Sequence, residues 1–196
     1  GLGAPQHMFL GRILRVHGLD LADVHVIAYG FGPPAISALE RGQVDAGMIN
    51  GSAFPVLRQR TPVLRVLADP RTPQATEALL GRDYANFSLI ATPEWLARNP
   101  DTARKLTRAL MRTMQWVIGH SAEEVLAKIP AHLRSAYSEG DLESLRLIIA
   151  GLSEDGHMRP GGPEILRQLA GVPMEKLREH GIELTQTYTN EFLEGK

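Results

Sequence analysis

The sequence has no cysteine among its 196 residues. That removes disulfides, thiolate metal ligands and cysteine nucleophiles together, and leaves the redox compartment open. It also has no apolar run approaching the roughly 20 residues of a membrane span. Lysine is scarce: Lys105, Lys128, Lys176 and Lys196 are the only ones, so the cations are mostly arginine. No excess of charge of one sign exists either, because the formal net charge is -1. A nucleic-acid module would normally show a basic face, so a nucleic-acid partner is not expected. Catalytic and metal signatures are missing too. There is no His-x-x-x-His pair, no Gly-x-Ser-x-Gly elbow and no Walker loop. His17 and His25 flank a turn without a third partner, and Gly30-Phe31-Gly32 lacks the third glycine of a dinucleotide fingerprint. No catalytic residue, metal or cofactor is therefore assigned. What is present is ordinary for a globular chain able to bury a core, with 43% hydrophobic and 22% charged residues. The length fits one domain or two small lobes.

Three strand-turn-helix units follow one another at the start. Gly1 to Ala4 leads through Pro5 into a helix from about Gln6 to His17. Phe9, Leu10, Ile13, Leu14 and Val16 are expected on its apolar side, with Arg12 and Arg15 outside. Gly18 closes it. Val24 to Tyr29 reads as a buried strand, Gly30 to Pro34 as a turn, and Ala35 to Arg41 as a helix. Val44 to Asn50 reads as a third strand, and Asn50-Gly51-Ser52 leads into a short helix near Phe54 to Gln59. Connections this short imply a parallel sheet covered by helices, an α/β class. Val63 to Ala68 and Phe87 to Ala91 read as further strands. Beyond about residue 86 the pattern turns helical. The longest helix starts at Asn99-Pro100 and ends near Ile118, with Ala103, Leu106, Leu110, Met114 and Val117 as its inward stripe and Arg104, Arg108 and Arg112 on its wet face. Ser121 to Glu124 is a capping box. Helices from Asp141, from Glu164 to Ala170 and from Met174 to His180 complete the chain.

In an open parallel sheet, ligands sit at the carboxyl ends of the strands. Those ends are Ala4 to His7, Gly30 to Gly32 and Asn50 to Ser52. A helix start there offers free N–H groups and a positive dipole end. Pro5 and Gln6 are expected to line a cleft through backbone groups. His7 either donates to a bound ligand or acts as a cap-region histidine. Gly30 serves backbone geometry beside Phe31, which is either an aromatic wall or ordinary packing. Asn50 and Ser52 bond a ligand, cap the following helix, or do both.

These residues carry a family resemblance. Gly3-Ala4-Pro5-Gln6-His7 opens the series. Ala38 to Gly47 reads Ala-Leu-Glu-Arg-Gly-Gln-Val-Asp-Ala-Gly, and Val66-Leu67-Ala68-Asp69, Ala91 to Pro100 and Thr187 to Phe192 follow in order. The series resembles the periplasmic substrate-binding proteins of ABC importers, in the nitrate/sulfonate/taurine and thiamine-pyrimidine-precursor group. The resemblance implies a type II periplasmic-binding fold, a small anionic or heterocyclic ligand held between two lobes, transient contact with a membrane permease, and no catalysis. Residues 1–85 would then be lobe two, and 86–196 the return crossing and helices completing lobe one. Members of the group carry a leader and further residues before the position of Gly1. The chain is thus expected to be truncated and, in isolation, to self-associate. No signal peptide is read at Gly1, and the full-length protein is expected to be periplasmic, or extracellular as a secreted or lipid-anchored protein. Two other classes stay open: an enzyme of the thiamine-pyrimidine-precursor synthase type, against which stands the lack of lysine near the strand ends, and a ligand-sensing domain of a transcription regulator.

Overall fold

Proline sets where the helices begin. In the computed structural model, which describes residues 2–30, 32–49, 53–134 and 138–193, proline stands in the first turn of α1 (Pro5–Val16), α2 (Pro33–Glu40), α3 (Phe54–Arg60), α4 (Pro73–Leu80), α5 (Pro93–Arg98) and α6 (Pro100–Ile118). The first N–H groups of a helix have no internal acceptor, so the donor that proline lacks is not missed there. Side chains complete some starts. Thr72 and Thr92 accept from the N–H groups of Ala75 and Trp95 at 3.2 Å each. At α7 (Ala122–Lys128) the expected capping box forms: Ser121 Oγ accepts from Glu124 N–H at 3.2 Å, and Glu124 accepts from Ser121 N–H at 2.8 Å. The chain continues through α8 (Ser138–Ala150), α9 (Gly162–Leu169) and α10 (Met174–Glu179).

Later helices return onto earlier ones. α1 packs on α4 and α9, while α8 packs on α3 and α7. The tightest cluster joins α2 to α3: Ile36, Ala53 and Leu57 are each 1% exposed, with Leu39, Ile49, Val56 and Leu64 around them. A second seam ties the turn after α4 to the start of α9. There Gly161 N–H donates to the Asp83 carboxylate at 3.1 Å, and Gly162 is buried. Near the end of the described chain, the Asn190 side chain both accepts from Met158 N–H (3.0 Å) and donates to Met158 O (3.1 Å).

The expected strands differ from this picture. Among the described residues none of 24–29, 44–49, 63–68 or 87–91 is in a strand, so the parallel-rich sheet of the expected α/β class is not found. Ile49 and Leu64 reach the α2–α3 cluster, but other apolar side chains of these stretches are in water: Val63 is 93% exposed, Phe87 94% and Ile90 88%. The physical reason is that a strand exists only through its neighbours. A β-branched, apolar stretch supplies the pleated surface, but its N–H and C=O groups need a partner strand in register. The accessible surface of 13,615 Å² follows from this, since a compact protein of 21.5 kDa exposes about 9,200 Å².

Two helical faces also depart from the pattern. Leu106 and Leu110 of α6 are 43% and 42% exposed, and Val16 of α1 is 52% exposed. The amphipathic period marks which side is apolar, but only packing partners bury it. Arg12, expected outside, is part-buried, and its Nε–H donates to Leu79 O at 3.0 Å. The last carbonyls of a helix lack internal donors, and here a neighbouring arginine serves α4.

On α9, Glu164 takes Arg167 in a fork at 2.7 and 2.5 Å and Gln168 at 2.7 Å. The Arg167 hydrogen bonds, then that of Gln168, hold its carboxyl down at about 2, against an ordinary 4.5. Because the folded value is depressed, the stabilisation is present above about pH 4.5 and is lost as pH falls towards 2. An NMR titration should place the Glu164 midpoint near 2. A midpoint near 4.5 would show that the fork does not persist in solution.

Candidate ligand site at the helix starts

At the start of α1 the chain turns through Gly3, whose φ of +77° lies in the region that favours glycine. Ala4 is extended and contributes no side-chain cap. His7 folds back, and its Nδ1 accepts the Gly3 N–H at 3.0 Å. The imidazole is thereby used as a cap, which fixes the tautomer: Nδ1 is the acceptor and Nε2 carries the proton. The cap reading and the donor reading of His7 are therefore compatible. His7 N–H and Met8 N–H both go to Ala4 O, at 2.9 and 3.2 Å. Gln6 stands out, because its Oε1 is buried and accepts no hydrogen bond among the described residues. A buried acceptor without a donor costs about 1–3 kcal/mol, and a ligand N–H or O–H would remove that cost.

The second turn behaves differently from expectation. Gly30 and Gly32 have φ of +78° and +66°, conformations that another residue would strain to adopt. However, α2 begins Pro33-Pro34, so two of its first positions have no N–H at all, and Ile36 N–H is given to Gly32 O at 3.1 Å. The start of α2 is therefore poor in the free donors that an anion would need. Gly30 shapes a turn and supplies no side chain. The candidates Phe31, Asn50 and Ser52 lie outside the described residues. No hydrogen bond or ion pair among the described residues links Pro5, Gln6 or His7 to Gly30.

One polar node was not among the sequence candidates. Arg71, in the turn that follows the apolar stretch 63–68, forks onto Asp69 (Nε to Oδ1 and Nη2 to Oδ2, both 2.7 Å) and reaches Glu143 of α8 at 3.3 Å. Its guanidinium lies 4.4 Å from the centre of the Phe54 ring. The Arg71 hydrogen bond holds the Asp69 carboxyl below its ordinary value. Both carboxylates neutralise the arginine, so the node fastens α3, α8 and the turn before α4 together. The available signal was positional: Asp69-Pro70-Arg71-Thr72 is the fourth turn in the same series. Among the described residues no three His, Asp or Glu side chains group as a metal site, and no helix is long and apolar enough to cross a membrane.

Comparison with known proteins bears on the whole arrangement. Residues 3–124 match the family described as "NMT1/THI5 like". A solved structure of a protein from Bordetella bronchiseptica RB50 superposes with a TM-score of 0.80 at 24% identity, over 98% of this chain and 60% of that one. The present chain thus shares that fold and spans 60% of that solved chain's length. No curated protein matches significantly. The matched segment covers the α1 start, the Ala38 to Gly47 series and the whole of α6, and on that evidence the chain belongs to the NMT1/THI5-like family.

Proposed function

We propose that this chain is ligand-binding material of a solute-binding protein of an ABC-type importer, taking a small molecule at the start of α1. The observation that carries the reading is the pairing, one residue apart, of a buried unpaired acceptor (Gln6 Oε1) with a capped imidazole whose Nε2–H is left to donate. A ligand answering both has a donor and an acceptor of its own, as a neutral heterocycle or amide does. Nitrate, which has no N–H or O–H, leaves Gln6 unpaired. Gly30, Phe31, Asn50 and Ser52 would line the rest of the cleft. Residues 1–85 and 86–196 would belong to the two lobes, with α8 and α9 returning onto the earlier residues. Binding favours a closed form without breaking a bond, and a permease reads that form from a periplasmic or extracellular location.

The test is calorimetric titration of the chain with an aminopyrimidine, taurine and nitrate, repeated on Gln6→Ala and His7→Ala. The expected result is saturable binding of the aminopyrimidine, weakened at least tenfold in Gln6→Ala. Binding unchanged in both variants would remove the site from α1. Light scattering on the same samples reads the exposed stretches 63–68 and 87–91. Self-association is expected, because open apolar edges pair with a second copy. A strict monomer at every concentration would count against it.

A further inference from the structure

Beside α1, on the side of α9 and the end of α4, lies an open cavity of about 370 Å³. Its lining includes the apolar Leu80, Ile165 and Val172 and the basic Arg12, Arg15 and Arg167. The three guanidinium groups are not equivalent. Arg167 is committed to Glu164 and to the Val172 carbonyl. Arg12 is held part-buried by its Nε–H bond to Leu79 O, and its two Nη groups make no hydrogen bond among the described residues. Arg15 makes none among them either. Arg12 and Arg15 are three apart on one helix, so they share a face. The free Nη groups of Arg12 and the free guanidinium of Arg15, with apolar side chains beside them, suit a planar carboxylate. The volume falls within the usual range for small-molecule sites.

We propose that this cavity is a second binding site, for a small organic anion whose carboxylate meets Arg12 and Arg15 and whose apolar body lies on Leu80, Ile165 and Val172. It is separate from the α1 start: six residues of helix set Arg12 about 9 Å along the axis from Gln6. The two readings stand or fall independently.

Benzoate is the probe, with methyl benzoate, which is neutral and has no N–H or O–H, as its uncharged counterpart and inorganic phosphate as an anion without an apolar body, titrated by calorimetry at low ionic strength. Benzoate should saturate one site, with methyl benzoate and phosphate at least tenfold weaker. Arg15→Gln, an exposed change, should weaken benzoate at least tenfold while leaving the melting temperature in place. Arg108→Gln, a charge change on α6, should bind benzoate as the parent does. Equal binding of methyl benzoate would overturn the carboxylate assignment, and equal binding of phosphate would overturn the role of the apolar side chains. No effect of Arg15→Gln, or the same loss in Arg108→Gln, would overturn the site itself.

Discussion

Leu57→Ala should cost about 3 kcal/mol of stability, within the range of about 2–5 kcal/mol for emptying a leucine site. Leu57 of α3 is 1% exposed, in one cluster with Ile36 of α2 and with Ala53, the residue just before α3. The surrounding shell cannot easily close on the vacancy. Ala53 is already the smallest side chain that packs, and Ile36 is held by α2, whose Pro33-Pro34 start fixes φ at two successive residues and has little freedom to shift. At about 2–4 °C per kcal/mol for a chain of this size, the melting temperature should fall by about 10 °C. Urea unfolding followed by circular dichroism checks it, with Val63→Ala as the matched control. Val63 is 93% exposed, and its truncation should fall within about 0.5 kcal/mol of zero. Equal costs at the two positions would mean that the α2–α3 cluster is not the centre of the fold.

Gly162→Ala should cost about 2 kcal/mol, although alanine is the better helix former by about 1 kcal/mol. The added Cβ would meet Met158 Sδ at 2.7 Å and the Asp83 carbonyl oxygen at 3.1 Å. The thioether is a flexible side-chain end and can move aside. The carbonyl is backbone in the turn after α4, where Gly81 has a φ of +102° and the Asp83 carboxylate is tied to Gly161 N–H. Forcing extra volume into such a contact costs about 1–3 kcal/mol, which outweighs the propensity gain. Hydrogen exchange should show the loss concentrated in α9 and the end of α4, which this seam joins, and in α1, which packs on both. A stabilised variant, or loss confined to α6, would contradict the close approach.

The two substitutions differ in how far the sequence foretold them. The 3.6-residue period located α1 and α6, and Ser121 with Glu124 marked the cap of α7 that the structure forms. Proline and glycine announced most boundaries, because each acts on its own residue's backbone. The ordered motif series also led to the family that the match over residues 3–124 identifies. The candidates Pro5, Gln6 and His7 were chosen in the sequence from their place at a helix start, whereas the buried acceptor of Gln6 and the cap made by His7 depend on where Gly3 folds. Arg71 was not singled out in the sequence, since its partners Glu143 and Phe54 are distant from it along the chain.

What the sequence alone determined is therefore local and compositional: helix positions, caps, the lack of thiol chemistry, the near-neutral charge, and family membership through its motifs. Those properties are written within a few residues of each position, or in the order of short segments. Only the tertiary structure decided which apolar residues are buried. Leu57 and Val63 differ by neighbours, not by chemistry, and the same is true of Ala103 and Leu106 along one helix. It also decided that Arg12 serves the end of α4, and that α9 returns to close on Asp83. Burial and ion pairing are relations between distant parts of the chain, and a sheet is the extreme case, because a strand sequence forms a strand only when another strand lies beside it.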